Sequence, residues 1–271
     1  MKAIQAILAL LLLVSLPFAE FQQTNLTVKV DVNPGGTAKV TETVRISMDS
    51  GSPAIYDNAM SSYDITSWRS KTKLDFRFHF NRDIVDITDV TILAQPRDGC
   101  EGCVRDTCTI CHGTIILTYE LSPIANKTGS GLFTITKFKP RTSNYSLNTE
   151  ALSFEASSSG GIVLPENTRL TINLPEGAFN ISVNPTPEQA APADSGQGTT
   201  ASFSWNGRIP LSNMGLKFNI EEPLSVEVMG FFSSVRDDIL KILYSREGLA
   251  IVIITGVVLA SFIVLRRRKD N

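Results

Sequence analysis

The sequence predicts a mainly β chain: an antiparallel β-sandwich ectodomain, possibly two in tandem, with a juxtamembrane amphipathic helix and one C-terminal transmembrane helix. Three observations carry that expectation. Short runs of alternating polar and apolar residues recur along the chain, with turn-forming residues between them. Thr, Ser, Asn, Val and Ile are abundant, and long charged helical runs are absent before the C-terminal part. Last, the stretch Gly248 to Leu265, GLAIVIITGVVLASFIVL, holds no charge and is followed at once by Arg266, Arg267, Arg268 and Lys269.

That final stretch sets the topology. At 1.5 Å rise per residue, about 18 apolar residues just cross a hydrocarbon core of about 30 Å. The Arg/Lys cluster reads as the stop-transfer signal and marks the cytoplasmic side. At the other end, Met1-Lys2, the apolar run Ala3 to Leu16 and then Pro17-Phe18-Ala19 have the layout of a secretory signal peptide. Cleavage is expected after Ala19, although Pro17 matches the small-x-small pattern poorly; an uncleaved anchor is the alternative. The chain is thus expected in the cell membrane as a single-pass protein, its N-terminal ectodomain outside and a short tail in the cytoplasm. The expected division is 1–19 signal peptide, 20–158 first β-rich ectodomain, 159–223 second β-rich part, 224–247 juxtamembrane helix, 248–265 transmembrane helix and 266–271 basic tail.

Within the ectodomain, Asn25 to Val32 and Ala38 to Met48 alternate around Asn33-Pro34-Gly35-Gly36 and predict a β-hairpin. One face carries Val28, Val30, Val32, Val40, Val44 and Ile46; Glu42 interrupts it, so that face is expected to be incompletely buried. Ser50 to Thr72 is irregular, with a short helical turn near Tyr63 to Ser70 and Trp68 as a core plug. Lys73 to Phe80, KLDFRFHF, alternates and predicts a strand with a solvated His79 on its polar face. Further strands are expected at Asp86 to Leu93, Gly113 to Leu121, Gly131 to Phe138, Ala151 to Ala156, Thr168 to Leu174, Phe179 to Val183, Thr200 to Trp205 and Gly215 to Glu221. Asn184 to Thr199 reads as a mobile loop or small linker rather than an element. In Leu224 to Tyr244 the period changes, and Val228, Phe231, Phe232, Val235, Ile239 and Ile242 form one helical stripe. This segment either lies at the headgroups as an amphipathic helix or extends the transmembrane helix outward. Sequons at Asn25, Asn126, Asn144 and Asn180 are candidate glycosylation sites of an exported domain.

All four cysteines fall in one segment, Cys100-x-x-Cys103-x4-Cys108-x-x-Cys111, followed by His112. Lying between two strands, the segment reads as a hairpin tip. A register that places Cys103 opposite Cys108 also places Cys100 opposite Cys111, so two nested disulfides satisfy one pairing. An exported domain favours this. Two alternatives stay open. Two C-x-x-C knuckles are the donors of a tetrathiolate zinc or iron site, although four residues are a short spacer for one ion. Cys108-Thr109-Ile110-Cys111-His112 also matches the attachment pattern of a covalently bound haem, with His112 as proximal ligand and His79 or Met214 as distal candidates.

The net charge of −2 gives no reason to expect a nucleic-acid partner. The sequence carries no nucleophile elbow, P-loop, dinucleotide fingerprint or H-E-x-x-H, and its two histidines leave little for a triad. No enzymatic activity and no obligatory cofactor are therefore expected. The segments VKVDVNPGGTAKVTETVRI, VLPENTRLTINLPEGAFNISVNP and FSWNG resemble uncharacterised archaeal membrane-anchored surface proteins. The resemblance implies a β-sandwich at the cell surface and no known activity; the cysteine cluster is not part of it. The expected function is structural or interactive, with the membrane and a protein or envelope component as partners. A surface redox or electron-transfer protein using the cysteine cluster is the alternative.

Overall fold

The computed structural model describes residues 21–74, 76–105, 108–158, 161–191 and 201–222, together with residues 235–237, 240–241, 257–258, 262 and 266. The chain divides into two compact units: Met1–Phe138 with Ser143–Ile220, and Lys139–Thr142 with Glu221–Asn271.

The larger unit grows from the first hairpin. β1 (Phe21–Val32) and β2 (Ala38–Asp49) pair antiparallel from Phe21↔Met48 to Val32↔Ala38. Their turn is closed by the Asn33 N–H donating to Thr37 O (2.8 Å) and the Gly36 N–H to Asn33 O (3.0 Å). Gly36 has φ +81°, and a Cβ there would stand 2.5 Å from Ile135 Cδ1, so the turn needs a residue free of both costs. Alternation buries Val28, Val30, Val32, Val40, Val44 and Ile46 on one face, as the pattern predicts.

Two short helices follow where the sequence predicts one helical turn. α1 (Pro53–Met60) begins with proline at its first turn, where the missing N–H costs nothing. α2 (Ile65–Thr72) is capped by Asp64, whose carboxylate accepts from Thr66 N (3.2 Å) and Ser67 N (2.8 Å). Trp68, wholly buried, donates its indole N–H to Ser62 O at 2.8 Å and meets Tyr56 and Phe76 edge-on.

Then come β3 (Val85–Ala94), β4 (Gly99–Glu101) and the long β5 (Ile110–Pro123). β6 (Phe133–Lys139) and β7 (Thr142–Leu147) precede the two-residue pair β8 (Glu155–Ala156) and β9 (Ile162–Val163). β10 (Thr168–Asn173), β11 (Phe179–Asn184), β12 (Gln189–Ala191), β13 (Ser202–Asn206) and β14 (Gly215–Glu221) complete the order. One sheet runs β12-β13-β10-β1-β2-β5-β3, with β4 also on β5; a second runs β11-β14-β7-β6. One cluster of buried apolar side chains takes residues from both, including Ile46, Leu117, Tyr119, Ile172, Trp205, Tyr145 and Phe218.

The chain is mainly β, as expected, but its largest sheet is mixed. β10 lies parallel to β1, Leu26↔Thr168 to Asp31↔Asn173. Period-two alternation specifies which side chains face inward and not which way the neighbour runs. Here the intervening chain supplies the long crossover that parallel pairing needs. Because β10 sits between β1 and β13, residues expected in two successive β-rich parts share one sheet.

Several local expectations change. Among the described residues of Lys73 to Phe80 there is no strand: Lys73 closes α2 with φ +59°, and of the described residues only Phe80 makes a bridge, to Leu152. Its aromatic residues pack into the core without a ladder. Ala151 to Ala156 holds a 3₁₀ turn at Thr149–Ala151 and strand only at Glu155–Ala156. The expected loop Asn184 to Thr199 contains β12, and its residues 192–199 lie outside the described ones.

In the smaller unit, the Arg141 guanidinium donates to Glu222 O at 2.9 and 3.2 Å, and the Glu222 N–H donates to Arg141 O at 2.7 Å. Val257, Val258, Phe262 and Arg266 are helical and exposed. Among the described residues, no helix is long and apolar enough to cross a membrane. The signal peptide 1–19, most of the 224–247 helix, most of the 248–265 span and Arg267, Arg268 and Lys269 lie outside the described residues.

Tyr56 locks α1 onto the large sheet. Its hydroxyl donates to Gln95 O (2.6 Å), with Thr114 O at 3.1 Å, and a Cβ at Gly113 would stand 2.7 Å from its ring. Burial pushes this phenol up to about 12, against the lowering by the Thr114 hydrogen bond. The protonated form is thus favoured by folding, so its contribution is complete below pH 10 and lost as pH rises through 12. In urea titrations of the full chain, Tyr56→Phe is expected to shrink the alkaline loss of stability by up to about 3 kcal/mol. Identical pH profiles for the two proteins would contradict the assignment. Gly113→Ala is expected to destabilise by about 1–3 kcal/mol in the same measurement, because the ring cannot retreat from the sheet.

Candidate functional site

β5 carries both candidate sites at different points along one inward face. Cys111, Gly113, Ile115, Leu117, Tyr119 and Leu121 point inward, with His112 on the opposite face from Cys111. At one end, β4 pairs with β5 so that Cys100 is directly opposite Cys111, Cα–Cα 4.0 Å, and the two are disulfide-bonded. Cys103 and Cys108 form the second, nested disulfide at the tip, Cα–Cα 3.8 Å. The pairing expected from one register is the one the structure has. Closing an 11-residue separation is worth about 3 kcal/mol in the chain-entropy account.

The surroundings of the two bridges differ. Cys111 is buried, Cys100 and Cys108 are half-buried, and Cys103 is exposed. Arg97 is held by Asp57 through Nε–Oδ1 (3.1 Å) and Nη2–Oδ2 (2.9 Å), which leaves Nη1 3.7 Å from both Cys100 Sγ and Cys111 Sγ. An open cleft of about 390 Å³, lined by Asp57, Met60, Pro96, Arg97, Gly99 and Cys100, reaches the inner bridge.

The sulfurs of Cys100, Cys108 and Cys111 all lie within 4.8 Å of one another. Three reduced thiols so grouped could close on one soft metal ion, but in the bridged hairpin none is a thiolate. Covalent haem attachment fits this hairpin less well still. Both cysteines of the motif are consumed in bridges, and strand alternation turns His112 away from Cys111. His112 Nδ1 is buried with no hydrogen-bond partner among the described residues. Met214 is buried beside a 3₁₀ turn, Leu211–Asn213.

The second site was hidden in the alternation of β2. Glu42, expected to break the buried face, is 0 % exposed and stands opposite Leu117 of β5. Two residues along β5 from Leu117, the Tyr119 hydroxyl donates to Glu42 Oε1. The His79 N–H donates to the same oxygen at 3.2 Å, and His79 Nδ1 lies 2.9 Å from Oε2. One carboxylate thus receives three hydrogen-bonding groups, which is what a buried carboxylate requires. Burial, and after it the Glu42 charge, holds the Tyr119 hydroxyl well above the usual phenol range, so it remains a donor.

His79 is therefore not a solvated strand residue. The 73–80 segment leaves the sheet pattern because its polar groups find other partners. His79 O accepts from the Ser153 N–H (2.9 Å), Phe76 O accepts from the Arg69 guanidinium, and Phe78 and Phe80 meet Tyr119 edge-on. The imidazole, tilted over Phe154 at 5.0 Å, forms part of the wall of a cleft of about 640 Å³. Arg77, Ser153, Glu155, Leu117 and Gln23 contribute to the rest of that wall. A carboxylate holding Nδ1 fixes the ring orientation and leaves Nε2 as the group available to a ligand. The one sequence signal for this site was the charged residue inside an apolar alternation.

The sequons part company. Asn25, Asn126 and Asn180 are exposed, the last two with φ +62° and +51°. Asn144 is half-buried within β7 and its Nδ2 donates to Asn219 Oδ1 at 2.8 Å.

Glu42→Ala leaves three groups, the Tyr119 hydroxyl, the His79 N–H and His79 Nδ1, without their carboxylate partner, and the full chain is expected to lose about 3 kcal/mol or more in urea titrations. Glu42→Gln, which keeps the shape and one acceptor oxygen, is expected to lose less. A loss below about 0.5 kcal/mol for Glu42→Ala would show that the carboxylate is not held as described. The chain matches no protein-family model, and no match was found among the curated proteins.

Proposed function

We propose that this chain is a cell-surface interaction protein without catalytic activity, related to the archaeal membrane-anchored surface proteins that its hairpin and late segments resemble. In this reading the two sheets stack as a β-sandwich outside the cell. The N-terminal signal directs export, the 248–265 stretch spans the membrane once, and the basic tail stays in the cytoplasm. The observation that carries the reading is the pair of cross-strand disulfides, because such bridges persist in oxidising compartments and are rare in reducing ones. The partner is a protein or envelope component. Two surfaces suit it: the hairpin tip, whose exposed Val104 and Ile110 are held in place by the bridges, and the cleft over His79. Glycans fit at Asn25, Asn126 and Asn180 and not at Asn144, whose amide is engaged in the sheet.

A second reading, a surface redox protein, is favoured by one observation. Arg97 places a cation on both sulfurs of the inner bridge, where it would stabilise a thiolate.

The test is topology in the producing cell. Protease added to intact cells expressing the full chain should remove the ectodomain and leave a small membrane-bound fragment. Membrane-impermeant thiol reagents should label the cysteines only after reduction. A chain protected from protease until lysis, with free thiols, would overturn the reading. Glycopeptide mapping of the same material should find Asn144 bare.

A further inference from the structure

The cysteine hairpin holds more than a staple needs. A single bridge between Cys100 and Cys111 already fixes β4 against β5. The second bridge adds a loop of separation 5 at the exposed tip and brings Cys108 Sγ within 4.8 Å of both sulfurs of the first. Thiol–disulfide exchange needs three things: an accessible sulfur for the incoming thiolate, a second disulfide within reach of the thiolate released, and a cation that favours the final leaving group. All three are present. Cys103 is exposed, Cys108 adjoins the inner bridge, and Arg97 Nη1 stands 3.7 Å from both inner sulfurs.

We propose that the hairpin is a disulfide relay that passes oxidising equivalents from the inner bridge to an external dithiol. This rests on the redox reading of the same hairpin. A thiolate of the external dithiol attacks Cys103 Sγ, forming a mixed disulfide and breaking the Cys103–Cys108 bond, so that Cys108 leaves as a thiolate. Cys108 then attacks Cys111 Sγ, forming Cys108–Cys111 and releasing Cys100 as a thiolate beside Arg97. The second thiol of the external partner resolves the mixed disulfide, leaving Cys103 as a thiol. The partner is oxidised to its disulfide, and the hairpin gains two electrons and two protons, carried as the thiols of Cys100 and Cys103. The cleft of about 390 Å³ beside Arg97 opens on Cys100, the thiolate released in the second exchange.

The first variant needs no external reagent. In Cys103→Ser the freed Cys108 can exchange with the inner bridge alone. Non-reducing peptide maps of the full chain in detergent should show Cys108 linked to Cys111, with Cys100 as the alkylatable thiol. An intact Cys100–Cys111 bond with Cys108 alkylated would overturn the relay.

The second measurement separates the two levels. The native full chain is treated with one equivalent of dithiothreitol, quenched with acid and alkylated. Thiols at Cys100 and Cys103 support the relay. Thiols at Cys103 and Cys108, with Cys100–Cys111 intact, overturn the relay and leave the redox reading standing. A hairpin unreactive until denatured overturns both. Arg97→Gln should raise the pH of half-maximal exchange by about one unit if the guanidinium stabilises the leaving thiolate. An unchanged pH profile would assign Arg97 a purely structural role.

Discussion

The pairing register of β2 with β5 is the constraint from which the rest of the larger unit follows. Twelve successive residues of β2, Ala38 to Asp49, face Leu121 to Ile110 without a shift. Since side chains alternate with period two, that one register decides which residues of both strands point inward. It sets Tyr119 two residues along β5 from the partner of Glu42, within hydroxyl reach of its carboxylate. It also carries β5 past Met48, so that Cys111 projects on the same inward face and meets Cys100 of β4. A slip of β5 by one residue would turn Tyr119 and Cys111 to the face opposite the one Glu42 occupies. The cleft site and the cysteine hairpin are therefore two ends of one alignment.

A buried carboxylate is costly unless hydrogen bonds and charge replace the water it leaves. Glu42 meets this with groups from three places: Tyr119 in β5, the His79 backbone and the His79 ring. That arrangement explains why the 73–80 segment abandons regular strand geometry: its N–H and carbonyl groups go to Glu42 and Ser153 rather than to a neighbouring strand. The same bonds fix the imidazole at the cleft wall, so packing and site geometry have one cause. At the other end, Arg97 does a comparable service, tying α1 through Asp57 to the sulfurs of the inner bridge.

What could be read from the residues divides along physical lines. The first hairpin was legible because Asn33-Pro34-Gly35-Gly36 and the flanking alternation are local signals, and the strand at Gly215 to Glu221 was legible for the same reason. The nested disulfides were the preferred expectation because one antiparallel register satisfies both pairs, but spacing alone left a metal site and haem attachment open. The parallel neighbour of β1 was not legible, because period two is silent on direction. Neither was Glu42, whose partners lie 37 and 77 residues away and make sense of a charge inside an apolar face only once folded. Lys73 to Phe80 alternates like a strand, yet tertiary hydrogen bonds outweighed that pattern. β7, with the sequence TSNYSL, hid behind turn-forming residues, although its Tyr145 stacks on Phe218 in the core.

The most direct test of the account is a non-reducing peptide map of the full chain isolated through its own export route, read by tandem mass spectrometry. One register for β5 predicts Cys100 joined to Cys111 and Cys103 joined to Cys108, with no free thiol and no added mass. Bridges within Cys100–Cys103 and Cys108–Cys111, or a haem-sized adduct at Cys108 and Cys111, would contradict that register for the hairpin.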